Sequence, residues 1–204
     1  MHLEVLVEEE SAKAALELLL PKILGGQVSF KFHDFQGKKD LLKNLPARLR
    51  AYRKSMTAER RIVVLVDRDR EDCRSLKRRL EEIARGVGFF TKSSPGPRDR
   101  FQVLNRIAVE ELEAWFFGDV QAIAAAYPGV PATLDRKAKY RDPDAIRGGT
   151  WEALERILQN AGHHRAGLAK IEAARAIASR MDPNRNRSRS FRHFRDALRG
   201  LLHP

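Results

Sequence analysis

Short apolar runs alternate with amphipathic segments through the first half of the chain. Four runs have the length and composition of buried strands, at residues 3–7, 28–32, 61–66 and 101–107. Helical spacing of apolar positions between them predicts three helices, over residues 12–24, 39–52 and 72–84. Ser11 is a candidate cap for the first helix, and Pro46 predicts a break or kink in the second. This order is typical of an α/β fold with a mainly parallel four-stranded sheet flanked by helices.

The second half of the chain has a mostly helical pattern. Four helices are predicted, over residues 109–117, 119–127, 150–159 and 167–181. Turn-forming residues dominate 128–149, and residues 91–100 have the composition of an exposed, mobile loop. We therefore divide the chain into an α/β domain at residues 1–118 and a mainly helical extension at residues 119–204, which packs on the first domain and ends in an arginine-rich tail.

The charge balance points to a polyanionic partner. The chain has 39 Lys and Arg against 27 Asp and Glu, a formal net charge of +12. Such an excess favours nucleic acid, while a membrane surface or an acidic protein remains an alternative. Cys73 is the only cysteine, which excludes an internal disulfide and a thiolate zinc cluster of the usual spacing. The beginning of the chain lacks a signal-peptide pattern and no apolar run is long enough for a membrane span, so we expect a cytoplasmic protein.

Acidic residues follow two of the predicted strands. Glu8 and Glu9 come directly after the first strand, and Asp67 and Asp69 come after the third. Because loops at the carboxyl ends of parallel strands lie at one edge of the sheet, we expect these acids to lie close together. Carboxylate oxygens are the ligands that Mg²⁺ prefers, and a bound metal would support phosphodiester hydrolysis. The alternative is that the acids cap the following helices and that Arg68 and Arg70 neutralise them.

These residues also carry a resemblance to known families. Leu6-Val7-Glu8 and the later Val64 to Asp69 resemble the Toprim signature, which topoisomerases, bacterial primases and the nucleases of the overcoming-lysogenization-defect group share. Most of the chain resembles an uncharacterised bacterial family, domain of unknown function 4276, itself regarded as Toprim-like. The segments that carry this second resemblance are residues 5–9, 67–69 with 72–73, 106–108 with 111–115, and Asn186 with Ser188, Ser190 and Phe191.

The resemblance implies a fold, a cofactor and a role for each acid. It implies a Toprim-like, Rossmann-like fold in which Glu8 acts as acid, base or ligand and Asp67 and Asp69 bind Mg²⁺ or Mn²⁺. It also implies an ATPase partner of the chromosome-segregation type and a role in defence against phage. Many nucleases of the lysogenization-defect group have another acid four residues after the first glutamate, where this chain has Ala12. A second metal would therefore need Glu9, Glu10 or the later glutamates.

Further charged residues are candidates for the same site. Glu111, after the fourth strand, is the first candidate for an additional metal ligand. Weaker candidates are Glu113, in the same segment, and Glu9, after the first strand. Acids in a first helical turn also complement the helix dipole, which is the competing explanation for Glu111 and Glu113. The candidate nucleic-acid contacts are Lys38, Lys39, Arg68, Arg187, Arg189, Arg192 and Arg195. The tail arginines are alternatively a solvated surface, with Ser190 capping a helix from residue 191.

Two functions remain open at this point. The first is a divalent-metal-dependent nuclease of Toprim type that acts on DNA or RNA. The second is a non-catalytic module that binds nucleic acid or associates with an ATPase, in which the acids are structural and the surface charge makes the contacts. A phosphohydrolase of small nucleotides is a third and weaker hypothesis, because the chain has no glycine-rich phosphate loop.

Overall fold

A parallel sheet forms the centre of the computed structural model, which describes residues 1–26, 28–97 and 100–202. Its strands are β1 (His2–Val7), β2 (Ser29–Asp34), β3 (Arg60–Asp67) and β4 (Val103–Ala108), and all neighbouring pairs run parallel in the order β2-β1-β3-β4. The two central strands, β1 and β3, each bury five consecutive residues. The predicted α/β class with a four-stranded parallel sheet is confirmed, and the architecture is Rossmann-like.

Helices cover both faces of the sheet. They are α1 (Glu10–Leu24), α2 (Lys38–Lys54), α3 (Cys73–Gly86), α4 (Glu113–Phe117), α5 (Val120–Ala126), α6 (Thr150–Asn160), α7 (Lys170–Arg180) and α8 (Arg189–Arg199). Helices α2 and α3 pack through their leucines on one face, where Leu6, Ile62 and Val64 meet them. On the opposite face, α1 and the later helices share one hydrophobic core with the remaining strand residues. The α/β part and the helical part of the chain are thus joined by a common core.

Some predicted boundaries differ from the structure. Helix α2 continues through Pro46 without a break, because the buried residues on both sides of it, including Leu42 and Leu49, hold the helix on the sheet. Ser11 lies inside α1 and does not cap it. The segment predicted as mobile contains the fully buried Thr91, which bridges to Val103; Arg98 and Asp99 lie outside the described residues. Residues 128–149 contain three short 3-10 helices.

The last helix returns to the centre of the molecule through one buried contact region. Trp115 is fully buried, packs against the rings of Phe191 and Phe194 at centroid distances of 5.2 and 5.0 Å, and donates from Nε1 to Ser190 Oγ at 2.9 Å. Asn186 Nδ2 donates to the Trp115 carbonyl at 2.7 Å. Ser188, and not Ser190 as predicted, caps α8 by accepting from the Phe191 N–H. The start of the arginine-rich tail is therefore an ordered helix cap.

None of the helices in the described residues is long and apolar enough to cross a bilayer.

Close packing around Gly118 gives a test of this arrangement. A Cβ atom at Gly118 would lie 2.1 Å from Asn186 Oδ1 and 2.9 Å from the Ser188 nitrogen. We expect Gly118→Ala to lower the free energy of unfolding by about 1–3 kcal/mol, because the added methyl group displaces buried hydrogen-bonded groups. Gly86→Ala is the matched control, since a Cβ there meets nothing within 4 Å. Equal stability of the two variants in urea unfolding would contradict the packing described here.

Candidate functional site

Carboxylates from three strands meet in one cavity at the carboxyl edge of the sheet. Glu8 follows β1, Asp67 ends β3, and Glu113 opens the short helix after β4. The cavity has a volume of about 170 Å³, and its remaining polar lining is Glu9, Ser11, Lys38, Asp69, Glu111 and Lys170. The parallel order of the strands produces this convergence, because consecutive carboxyl ends lie side by side.

Glu8 is held in a fixed position inside the cavity. Its side chain is buried, and its Oε1 accepts from the Asp67 N–H at 2.8 Å. Burial raises the pKa of Glu8 to about 7, although the Asp67 N–H and the Lys38 charge act in the opposite direction. The carboxyl group therefore exchanges its proton near neutral pH, which is the property required of a general acid or base.

Asp67 and Glu113 share the electrostatic character of Glu8. Burial, together with the charges of Glu8 and Glu113, raises the pKa of Asp67 well above its usual value. Burial also raises the pKa of Glu113 to about 7, and the nearby Lys170 offsets part of this effect. Three acids with raised pKa values in one cavity form a site that favours bound protons or a bound cation.

Asp69 has a different environment from the other two predicted ligands. It is exposed, and its Oδ2 lies 2.7 Å from Lys38 Nζ, which also lies 3.1 Å from Glu71 Oε1. Lys38 itself is largely buried and donates to the Arg68 carbonyl at 3.1 Å. Lys38 therefore closes one side of the cavity and holds the loop after β3, and it is not free to contact a partner in the way that the sequence analysis predicted.

The loops after β3 and β4 support each other in an unusual conformation. Asp69 has φ of 50° and Glu110 has φ of 62°, both in the left-handed region. The Asp69 N–H donates to the Glu110 carbonyl at 2.8 Å, and the Arg68 N–H donates to the Ala108 carbonyl at 2.8 Å. Left-handed non-glycine residues cost free energy and concentrate at functional sites. Their position beside the cavity supports a role for this edge.

The glutamates after β4 separate into different roles. The helix predicted from residue 109 begins only at Glu113, because Glu110 adopts a left-handed conformation. Glu110 pairs with Arg68, whereas Oε2 of Glu111 accepts from Thr150 N, Thr150 Oγ1 and Trp151 N at 3.0, 2.6 and 3.0 Å. Glu111 thus caps α6 while it also lines the cavity. Glu113, which the sequence analysis ranked below Glu111 as a candidate metal ligand, is the buried one of the two.

The oxygen donors of the cavity suit a hard divalent cation, which prefers carboxylate and water ligands. Across the residues that the structure describes, no three His, Cys, Asp or Glu side chains are arranged to hold one metal ion. Mg²⁺ is commonly held by one or two carboxylates, with water and substrate phosphate as further ligands. The pair Glu8 and Asp67 meets this smaller requirement, whereas Asp69 and Glu111 are engaged by Lys38 and by α6.

The other predicted nucleic-acid contacts lie at several places on the surface. Lys39 and Arg192 are exposed. Arg187 pairs with Asp135, and Arg195 bonds to the Pro183 carbonyl and Asp196. The Arg189 N–H donates to Asp144 Oδ2 at 2.6 Å, which leaves its side chain exposed. Part of the arginine-rich tail therefore has structural contacts in place of an open phosphate-binding surface.

Sequence reasoning missed two polar residues of the cavity. Lys170, at the start of α7, places a positive charge near Glu113, and no spacing in the sequence links these distant positions. Ser11 was interpreted as a helix cap, but it lines the cavity and donates to Glu9 Oε2 at 3.5 Å. The sequence did offer a reason to place Ser11 at the cavity, because it closely follows Glu8 and Glu9, which lie in the short segment that joins β1 to α1.

Comparison with known proteins identifies a family. Residues 7–199 match the model of a family described as domain of unknown function (DUF4276). No significant match was found among curated proteins or among solved structures.

The raised pKa of Glu113 predicts a pH-dependent stability. Its value is about 7 in the folded protein and 4.5 in the reference state, so folding takes up a proton between these values. The free energy of unfolding of the metal-free protein should therefore fall as the pH rises from about 4.5 to 7. Glu113→Gln removes this effect and should gain up to about 3 kcal/mol relative to wild type between pH 4 and pH 8.

Urea unfolding at pH 4, 6 and 8 measures this difference. Glu10→Gln is the matched control, because Glu10 is exposed and is not part of the cavity. The raised pKa of Glu113 would be contradicted if the stability difference between Glu113→Gln and wild type stayed constant over this pH range.

Proposed function

The chain belongs to the DUF4276 family, and because that description names no activity we propose a function from the site: a divalent-metal-dependent phosphodiesterase that acts on nucleic acid. The observation that carries the proposal is the cavity in which Glu8, Asp67 and Glu113 are brought together with raised pKa values. Burial and mutual repulsion make this cluster costly when it is fully ionised, and a divalent cation would offset that cost.

Five residues of the cavity have a part in this proposal. Glu8 and Asp67 would hold Mg²⁺ or Mn²⁺, and the hydrogen bond from the Asp67 N–H fixes the Glu8 carboxylate for that purpose. The cation would supply a water of lowered pKa and positive charge beside the phosphate. Glu113, with a pKa of about 7, suits proton transfer at its own carboxylate near neutral pH. Lys38 and Lys170 contribute positive charge at the cavity wall.

A second cavity provides room for a substrate beside the acids. It has a volume of about 640 Å³ and shares Asp69 and Glu111 with the cavity of Glu8, Asp67 and Glu113, which we call the acid cavity. Its lining includes Arg68, Arg70 and Arg147, whose guanidinium groups suit phosphate oxygens. A phosphodiester chain in this larger cavity would lie next to Asp69 and Glu111, the two residues that also line the cavity of Glu8 and Asp67.

The resemblance of the β1 and β3 ends to the Toprim signature supports the same reaction class. Glu8 follows Leu6-Val7, and Asp67-Arg68-Asp69 follow Val64-Leu65-Val66, in the order that the signature requires. We extend the proposal from this resemblance to defence against phage, to an ATPase partner of the chromosome-segregation type and to a cytoplasmic location.

A non-catalytic nucleic-acid-binding module is the second candidate, and a specific observation favours it. Glu111 caps α6, Asp69 pairs with Lys38, and Glu110 pairs with Arg68. Three acids at this edge of the sheet thus have structural partners. Glu8 and Asp67 distinguish the two candidates, because only the enzyme requires these two side chains to be carboxylates.

Metal binding can be tested without an activity assay. We expect Mn²⁺ at about 100 times its Kd to stabilise the wild-type protein by about 3 kcal/mol. Asp67→Asn should lose this stabilisation, because an amide is a weaker ligand and cannot balance the cation charge. Glu10→Gln should keep it. Thermal unfolding with Mn²⁺ and with EDTA measures the effect, and equal stabilisation of Asp67→Asn and wild type would remove Asp67 from the metal site.

Cleavage tests the function itself. We expect Glu8→Gln and Asp67→Asn to lower Mn²⁺-dependent cleavage of labelled DNA and RNA by about 10²- to 10³-fold, with unchanged nucleic-acid binding in EDTA. Glu10→Gln, a conservative change just outside the cavity, should retain activity. Unchanged cleavage by Glu8→Gln and Asp67→Asn would refute the site, and binding without cleavage by the wild type, with its partner present, would favour the second candidate.

A further inference from the structure

Most of the net positive charge is concentrated in two neighbouring helices. Helix α2 contains seven basic residues and one acidic residue, and α3 contains five basic and two acidic residues. Together they carry nine of the twelve net positive charges of the chain. On the opposite face of the sheet, α1 has two basic and two acidic residues. Helices α7 and α8, also on that face, have net charges of +2 and +3, so positive charge is present on both faces and is highest where α2 and α3 lie.

The basic side chains of α2 and α3 project from one surface. Both helices bury their apolar residues on the same face of the sheet. Lys39, Lys43, Arg50 and Lys54 recur at helical spacing on the exposed side of α2. Arg74, Arg78 and Arg85 do the same on α3. We call this surface, defined by these seven residues, the basic face.

The basic face is not neutralised from within the described part of the protein. The ion pairs of α2 and α3 in that part involve Lys38, which contacts Asp69 and Glu71, and Lys77, which contacts Glu81. The seven residues of the basic face make no ion pair there. Seven exposed like charges on two packed helices repel one another and favour an anionic partner.

The chemistry of the basic face suits one kind of partner. We propose that it binds the phosphate backbone of duplex DNA and presents the duplex to the acid cavity. Binding of single strands relies on exposed aromatic residues, but the one aromatic residue of the two helices, Tyr52, is buried. Recognition of double-stranded RNA uses polar contacts to 2′-hydroxyl groups, whereas this face offers mainly charge.

The dimensions and position of the basic face fit a duplex. Helix α2 has 17 residues and is about 26 Å long, a span over which duplex DNA carries about 15 phosphate charges. Helix α2 begins at Lys38, which lines the acid cavity, and α3 follows the loop that contains Asp69. A duplex that is bound along the basic face would therefore reach the proposed reaction site at one end. This inference rests on the proposed function for its biological meaning, but binding can be measured separately.

Charge reversal on the basic face tests the inference. The test variant carries Lys43→Glu, Arg50→Glu and Arg78→Glu, and the control variant carries Arg136→Glu, Lys137→Glu and Arg165→Glu, which lie on exposed parts of the helical extension. Both variants change the net charge by the same amount. Fluorescence anisotropy with a 20-base-pair duplex in EDTA at several salt concentrations measures affinity without cleavage, and circular dichroism verifies folding.

We expect the test variant to bind the duplex at least tenfold more weakly than wild type. Its slope of log K against log salt should be smaller by about 2.7, because three phosphate contacts are lost. The control variant should bind within about threefold of wild type. Equal losses in both variants would show that net charge alone matters and would overturn the inference, as would unchanged binding by the test variant.

Two further measurements distinguish duplex DNA from other anionic partners. Tighter binding of a single strand of the same length, or of double-stranded RNA, would overturn the assignment to duplex DNA. Competition by polyglutamate at the same charge concentration as the duplex would identify a surface for acidic proteins and would also overturn it. Since binding is measured in EDTA, failure here leaves the Glu8 and Asp67 proposal standing. Conversely, unchanged cleavage by Glu8→Gln and Asp67→Asn would refute the proposed reaction site and leave duplex binding by the basic face standing.

Discussion

Burial of several carboxylates in one cavity is the constraint on which the rest of the site depends. The parallel sheet brings Glu8, Asp67 and Glu113 into one cavity, where burial raises the pKa of each carboxyl group. Native proteins rarely bury several acids together without partners. The Asp67 N–H, Lys38 and Lys170 offset part of the cost. What remains is an affinity for protons or for a cation, and this affinity is the physical basis of the proposed function.

The surrounding structure keeps these acids in place. Lys38 holds Asp69 and Glu71 on one side, and Glu111 connects the loop after β4 to the beginning of α6 on the other. The C-terminal part contributes through the shared core, in which Phe191 and Phe194 pack on Trp115, close to Glu113 in sequence. The helical extension is therefore part of the support of the site. The basic face adds attraction for a polyanion next to a cavity that would otherwise repel it.

The sequence was sufficient to predict the sheet and the meeting of Glu8 with Asp67. Apolar runs define buried strands, and parallel strands place their carboxyl ends at one edge, so both predictions follow from local patterns. Contacts between distant segments left no such pattern. The pairing of Asp69 with Lys38, the capping of α6 by Glu111 and the approach of Lys170 to Glu113 depend on tertiary packing. The basic residues of α2 and α3 were visible in the sequence, but only the structure shows that they share one exposed surface.

Anomalous diffraction from crystals soaked in Mn²⁺ tests the central claim most directly. We predict one anomalous peak within about 2.0–2.3 Å of carboxylate oxygens from both Glu8 and Asp67, with water completing the coordination. Crystals of Asp67→Asn treated in the same way should lack the peak. The claim that the acids after β1 and β3 form a metal site would be contradicted by a wild-type cavity without anomalous density. It would also be contradicted by a peak at another position that persists in Asp67→Asn.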